Sequence, residues 1–119
     1  MIVLIADDNR LLLSTLAMVL RSNGHEVMEA DSGAEALALA DQRRPDAAII
    51  DLHMPRVNGA DVAIHLQTLA IPFYFLSAYD ESDVKAAAEA WGARGYLLKP
   101  TTEGELNDAV ARCGEGRRR

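Results

Sequence analysis

The sequence predicts an α/β fold: a five-stranded parallel sheet, doubly wound by helices on both faces as (βα)5. Three observations point to it. Apolar runs of strand length alternate with segments whose apolar residues recur at helical spacing. Turn and capping residues punctuate the changes from one to the other. The third apolar run, Ala47–Leu52, is apolar on both faces, and a strand buried on both faces belongs in the middle of a parallel sheet.

The first strand is Ile2–Ala6. A helix follows over Leu11–Ser22, with Leu12, Leu16, Val19 and Leu20 on one face. Asn23-Gly24 stops it, since both residues tolerate the left-handed conformation common at helix ends. His25–Ala30 is the second strand. Ser32-Gly33-Ala34-Glu35 matches a capping box opening a helix to about Gln42, and Pro45 closes the connection to Ala47–Leu52. Met54–Gly59 is a loop marked by Pro55 and Asn58-Gly59, and Val62, Ala63 and Leu66 define the helix after it. Phe73–Leu76 is the fourth strand, and a helix from Glu81 to Trp91 ends at Gly92. Tyr96–Leu98 is the fifth strand, and Thr102-Glu103-Gly104-Glu105 is a second capping box opening the last helix.

At 119 residues the chain is long enough for one domain with a single core. A net charge of −6 argues against direct binding of duplex nucleic acid, which needs a basic face; Arg117, Arg118 and Arg119 are too local to supply one. The longest apolar runs fall far short of the roughly 20 residues a membrane span requires. The amino terminus shows neither a basic leader nor a small-residue cleavage site. The single cysteine, Cys113, fits a reducing cytoplasm. It lies in register with Leu106, Ala109 and Val110 and reads as a small core residue.

In parallel sheets of this kind ligands bind beyond the carboxyl ends of the strands. Asp7 and Asp8 follow the first strand, Asp51 lies at the end of the third, Ser77-Ala78 at the end of the fourth, and Lys99-Pro100 after the fifth. Three carboxylates gathered at one edge repel one another unless a cation neutralises them. Hard oxygen ligands at a small open site suit Mg²⁺, which keeps several waters and accepts phosphate oxygens. Lys99 can pair with a phosphoryl oxygen and the Ser77 hydroxyl can donate to another. A carboxylate between a divalent ion and a lysine is a plausible nucleophile, and Asp51, on the most buried strand, is the best candidate.

In these residues the sequence resembles the receiver domains of two-component response regulators. The resemblance covers about residues 1–113 and rests on Asp7-Asp8, on Asp51 with Met54-Pro55 and Gly59, on Ser77-Ala78, and on Lys99-Pro100 preceded by Gly95-Tyr96. It implies a flavodoxin-like sheet in the order 2-1-3-4-5, with residues 114–119 a polar tail or the start of a linker. It further implies that Asp7, Asp8, Asp51 and the backbone carbonyl of His53 hold Mg²⁺, with Mn²⁺ as a substitute. Asp51 would accept a phosphoryl group from a sensor histidine kinase or phosphotransfer protein, bound there by Lys99, Ser77 and Ala78. Ser77 and Tyr96 would be the switch pair, and Lys99-Pro100 a cis peptide. The switch would reshape the face of the fourth helix, fifth strand and fifth helix, which could act on an output domain or partner and serve for homodimerisation. Such a domain is a cytoplasmic signalling protein that assists its own phosphorylation and dephosphorylation, not an enzyme in the ordinary sense.

His53 and Tyr79, two residues after Asp51 and Ser77, flank the route by which water would attack an acyl phosphate, and are expected to modulate its lifetime. As a metal ligand through its side chain, His53 lacks a partner at ligand spacing and reads as a rim residue. Trp91, in register with Val84, Ala87 and Ala88, is expected in the core; His25 and His65, without companions, are expected on the surface. A hydrolase of the haloacid dehalogenase type also forms an aspartyl-phosphate, but needs a second aspartate where this chain has His53. The alternative is a receiver-like interaction module that works without phosphorylation. Such modules usually lack an acidic-pocket residue or the lysine, and here all are present.

Overall fold

The computed structural model describes residues 1–115. Along the chain it forms β1 (Ile2–Ala6), α1 (Arg10–Ser22), β2 (Glu26–Ala30), α2 (Gly33–Gln42), β3 (Ala47–Asp51), α3 (Gly59–Thr68), β4 (Phe73–Ser77), α4 (Glu81–Trp91), β5 (Gly95–Leu98) and α5 (Glu103–Glu115). All strands are parallel, in the order β2-β1-β3-β4-β5, so the expected (βα)5 fold and strand order are both present. Among the described residues no helix is long and apolar enough to cross a membrane.

Strand periodicity divides the apolar residues between two layers. Val3, Ile5, Ala47, Ile49, Tyr74 and Leu76 pack with α1 and α5; Leu4, Ala6, Ala48, Ile50, Phe73 and Phe75 pack with α2, α3 and α4. Because helices cover both faces, β3 and β4 are buried at every position, which is why their sequences run apolar without alternation. Each large side chain so buried contributes roughly 1.5–3 kcal/mol. Cys113 belongs to the α1–α5 layer and is fully buried, which pushes its thiol pKa up to about 11; it is packing and not a reactive thiol.

Helix starts are set by side-chain caps. Asn9 caps α1 by accepting the Leu12 amide, so that helix begins one residue before the expected Leu11. In α2 the Ser32 hydroxyl accepts the Glu35 amide, but the Glu35 carboxylate accepts from Asp31 N–H, outside the cap; the expected reciprocal box is only half formed. Thr102 and Glu105 form theirs fully at α5. Asn58 and Asp61 form another at α3, where the sequence suggested only a turn.

Two side-chain expectations are corrected. Trp91 is 37% exposed although Val84 and Ala88 on the same helix are buried. It is the last residue of α4, where left-handed Gly92 ends the helix and turns the chain away. His65 is not without a companion: its ring nitrogen lies 2.7 Å from Asp41, joining α3 to α2. His25 stands half-buried beside the amino terminus. The last helix, α5, continues to Glu115, so residues 114 and 115 of the expected tail are helical; positions 116–119 of that tail lie outside the described residues.

Candidate functional site

The chain reverses its winding direction between β1 and β3, which are neighbours in the sheet, and the cleft outside their carboxyl ends is where such folds bind ligands. Asp7 continues β1: its amide donates to Ala30 O (3.0 Å), and its side chain is fully buried. Its Oδ1 accepts the Asn9 amide (2.9 Å), which fixes the turn into α1. Asp8, next in the chain, is exposed. Of the pair, then, only Asp8 resembles an ordinary solvated turn residue.

Asp51 closes β3 and is 3% exposed, with Oδ1 accepting the His53 amide at 3.2 Å. Gly59 lets the β3–α3 loop fold back onto this strand end. A Cβ there would lie 2.6 Å from the Asp51 carbonyl oxygen and 2.7 Å from Leu52 Cα. Ser77 ends β4, buried, its hydroxyl accepting the Tyr79 amide at 3.1 Å. Its carbonyl accepts the Lys99 amide (2.8 Å), which carries the register of β4 and β5 up to the lysine. Lys99 precedes a cis bond to Pro100. Ala78 is exposed beside Ser77.

Lys99 Nζ reaches across the edge of the sheet to both buried carboxylates, 2.8 Å from Asp7 Oδ2 and 3.3 Å from Asp51 Oδ2. One carboxylate oxygen each from Asp7, Asp8 and Asp51 fall within 4.8 Å of one another, a grouping able to hold a metal ion. Burial first, then the charge of Asp7, raises the Asp51 pKa to about 6, against the pull of Lys99 and the His53 amide. Burial lowers the Lys99 pKa, but the hydrogen bonds and charges of Asp7 and Asp51 outweigh it and hold the amine above its ordinary value. One ammonium cannot serve three carboxylates. Asp7 Oδ2 is fully buried, and its partner is the Lys99 ammonium at 2.8 Å, which it shares with Asp51. Three clustered carboxylates, two of them buried, that share a single ammonium fit a small hard cation with oxygen ligands.

The remaining residues singled out from the sequence are His53, Tyr79 and Tyr96. The exposed His53 ring stands edge-on to Tyr79, centroids 4.5 Å apart and planes at 76°. Tyr96 packs its ring against the α2–α3–α4 layer, while its hydroxyl donates to Glu81 Oε2 at 2.8 Å. Sequence reading missed Asn9 and Glu81. An asparagine following two aspartates before a helical pattern is a capping signal that could have been used. Nothing in the order of residues pairs Glu81 with a tyrosine fifteen positions away.

Residues 3–111 match the family described as the response regulator receiver domain. Over 110 residues the chain is 39% identical to the transcriptional regulatory protein PdtaR of Mycobacterium tuberculosis, covering 91% of this chain and 54% of that protein. It thus spans about half the length of that relative. Protein PilH of Pseudomonas aeruginosa is 35% identical over 108 residues, 87% of this chain and 89% of PilH. Among solved structures, the signal receiver domain of NarL from Mycobacterium tuberculosis superposes with a TM-score of 0.85 at 36% identity, covering 98% of this chain and 97% of that one. The receiver fold and a buried acidic cluster faced by a lysine therefore occur together, and this chain belongs to the response regulator receiver domain family, whose members are signalling domains of two-component systems.

Proposed function

We propose that this domain is a phosphorylation-dependent switch in which Asp51 is the phosphoacceptor. The observation that carries the reading is the shared pocket of Asp7, Asp51 and Lys99, in which one ammonium faces two buried carboxylates with Asp8 beside them. Asp7, Asp8, Asp51 and the His53 carbonyl would hold Mg²⁺, or Mn²⁺ in its place, which when bound supplies charge neutralisation for the incoming phosphoryl oxygens. An Asp51 carboxylate oxygen attacks phosphorus, the bond to the donor's imidazole nitrogen breaks, and the leaving imidazole takes up a proton. Lys99 then pairs with a phosphoryl oxygen, and Ser77 and the backbone at Ala78 bind others. The donor would be a sensor histidine kinase or phosphotransfer protein, and the exposed side chains of Leu11 and Met18 on α1 offer it apolar contact beside the acidic turn.

The Ser77 hydroxyl, which now accepts the Tyr79 amide, keeps its own proton to donate and moves to give it to a phosphoryl oxygen. Its movement makes room for Tyr96 to turn inward, and the α4–β5–α5 face changes shape to act on an output domain, a partner or a second copy of the chain. Phosphorylation weights one of two existing states. His53 and Tyr79, whose rings pack edge-on against each other, are assigned to screening the acyl phosphate from water. The signalling unit comprises residues 1–113, with 114–119 leading out of it. A cytoplasmic site of action accords with a free, buried cysteine.

The test is acyl-phosphate formation with acetyl phosphate in Mg²⁺: the wild type is labelled and Asp51→Asn is not. Undiminished labelling of the variant defeats the assignment. In the same assay Tyr79→Ala is expected to lose its phosphoryl group faster than the wild type, and equal half-lives remove Tyr79 from the scheme.

A further inference from the structure

The hydrogen bond from Tyr96 to Glu81 joins the edge strand β5 to the first residue of α4. The head of α4 is fixed from its other side as well. Asp80 caps the helix by accepting both the amide (2.7 Å) and the hydroxyl (2.6 Å) of Ser82. Only Ala78, Tyr79 and Asp80 separate Glu81 from Ser77. One short loop therefore carries Ser77 at one end and, at the other, the carboxylate that holds the Tyr96 hydroxyl.

We propose that Glu81 is a positioning residue that latches Tyr96 in its resting placement and so sets how readily the domain enters its phosphorylated conformation. The proposal rests on the phosphoacceptor reading above. A contact made in one of two states weights the equilibrium toward that state by its own free energy. A phenol donating to a carboxylate is a charge-assisted hydrogen bond, stronger than a neutral one. It must break before the Tyr96 ring can turn inward. In keeping with this, the bond to Glu81 holds the Tyr96 phenol above its ordinary pKa. Glu81 itself is exposed and belongs to neither packed layer, so its removal leaves the core intact.

The test uses the whole chain, titrated calorimetrically with beryllofluoride in Mg²⁺, an acyl-phosphate mimic. Glu81→Ala is expected to bind about three- to tenfold more tightly than the wild type, the range of one net hydrogen bond. Removing a carboxylate near an anion site also raises affinity by simple electrostatics, so the decisive arm is the same substitution in a Tyr96→Phe background, where only that electrostatic part should remain. Independently, Glu81→Ala should lower the Tyr96 phenol pKa toward its ordinary value, read from the ring resonances by NMR without any phosphoryl mimic. Wild-type binding with no tightening in Glu81→Ala, an equal tightening in the Tyr96→Phe background, or an unmoved phenol pKa each overturns the latch alone. Failure of the wild type to bind beryllofluoride overturns the phosphoacceptor reading and the latch with it.

Discussion

Asp51 is held between opposing demands: burial and Asp7 favour its neutral form, Lys99 and the His53 amide its charged one, and the former prevail. A carboxyl whose folded pKa lies above its unfolded value stabilises the fold only while protonated. That contribution is complete below the ordinary pKa of 3.8 and is lost as pH rises through about 6. In chelator, Asp51→Asn should therefore be more stable than the wild type by about 2–3 kcal/mol near pH 7.5, with the gap narrowing toward pH 4. Urea unfolding at the two pH values measures it, and a gap independent of pH would remove Asp51 as its source. Lys99 has the converse role. Replacing it with Met strands Asp7 and Asp51 without their cation, and should cost about 3–5 kcal/mol near neutral pH in the same assay. The acids and the lysine were legible from sequence because each follows an apolar run, and a parallel sheet brings all such positions to one edge. The Tyr96–Glu81 bond was not, because it depends on where one edge strand lies against one helix end.

Helix ends show the same division between what local sequence carries and what tertiary contact decides. Gly92 ends α4 in the left-handed region at φ 75°, and glycine is the residue expected there. After α3, Ala70 takes the same kind of conformation at φ 57° with a side chain that disfavours it. The exposed Ala70 should therefore accept glycine with a gain of about 0.5–1 kcal/mol, after allowing for the greater freedom of glycine in the unfolded chain. Gly92→Ala should lose about 1–2 kcal/mol, because the added Cβ meets the Gln67 side chain as well as an unfavourable backbone. Shifts in urea midpoint in opposite directions check the pair; shifts of one sign would show that packing and not φ governs both ends. The sequence marked Gly92 as a stop but left the end of α3 unmarked, since a left-handed alanine carries no compositional signal. Trp91 misled for a related reason. Helical register predicts the buried face along a helix, but loses its hold at the last residue, where the chain leaves the helix axis.

At the scale of the molecule, two packed layers grip one sheet, and the acidic pocket lies where four strand ends meet: Asp7 and Asp8 after β1, Asp51 at β3, Ser77 at β4 and Lys99 after β5. Strand order could not be read from periodicity, which gives elements and not neighbours; it entered through the resemblance alone. Because the pocket is built from segments far apart in the chain, it exists only in the folded state, and whatever binds there must raise global stability by mass action. The wild type should therefore melt at a higher temperature in Mg²⁺ than in chelator. At a concentration ten times the dissociation constant the gain is about 1.4 kcal/mol, worth several degrees for a domain of this size. Asp8→Ala is the informative variant. Asp8 is exposed and makes no packing contribution to either layer, so its loss should leave the melting temperature in chelator nearly unchanged while abolishing most of the Mg²⁺ increment. Thermal melts of both proteins with and without Mg²⁺ decide the matter. An increment that survives in Asp8→Ala would place the ion elsewhere on this acidic chain and detach the pocket from divalent metal.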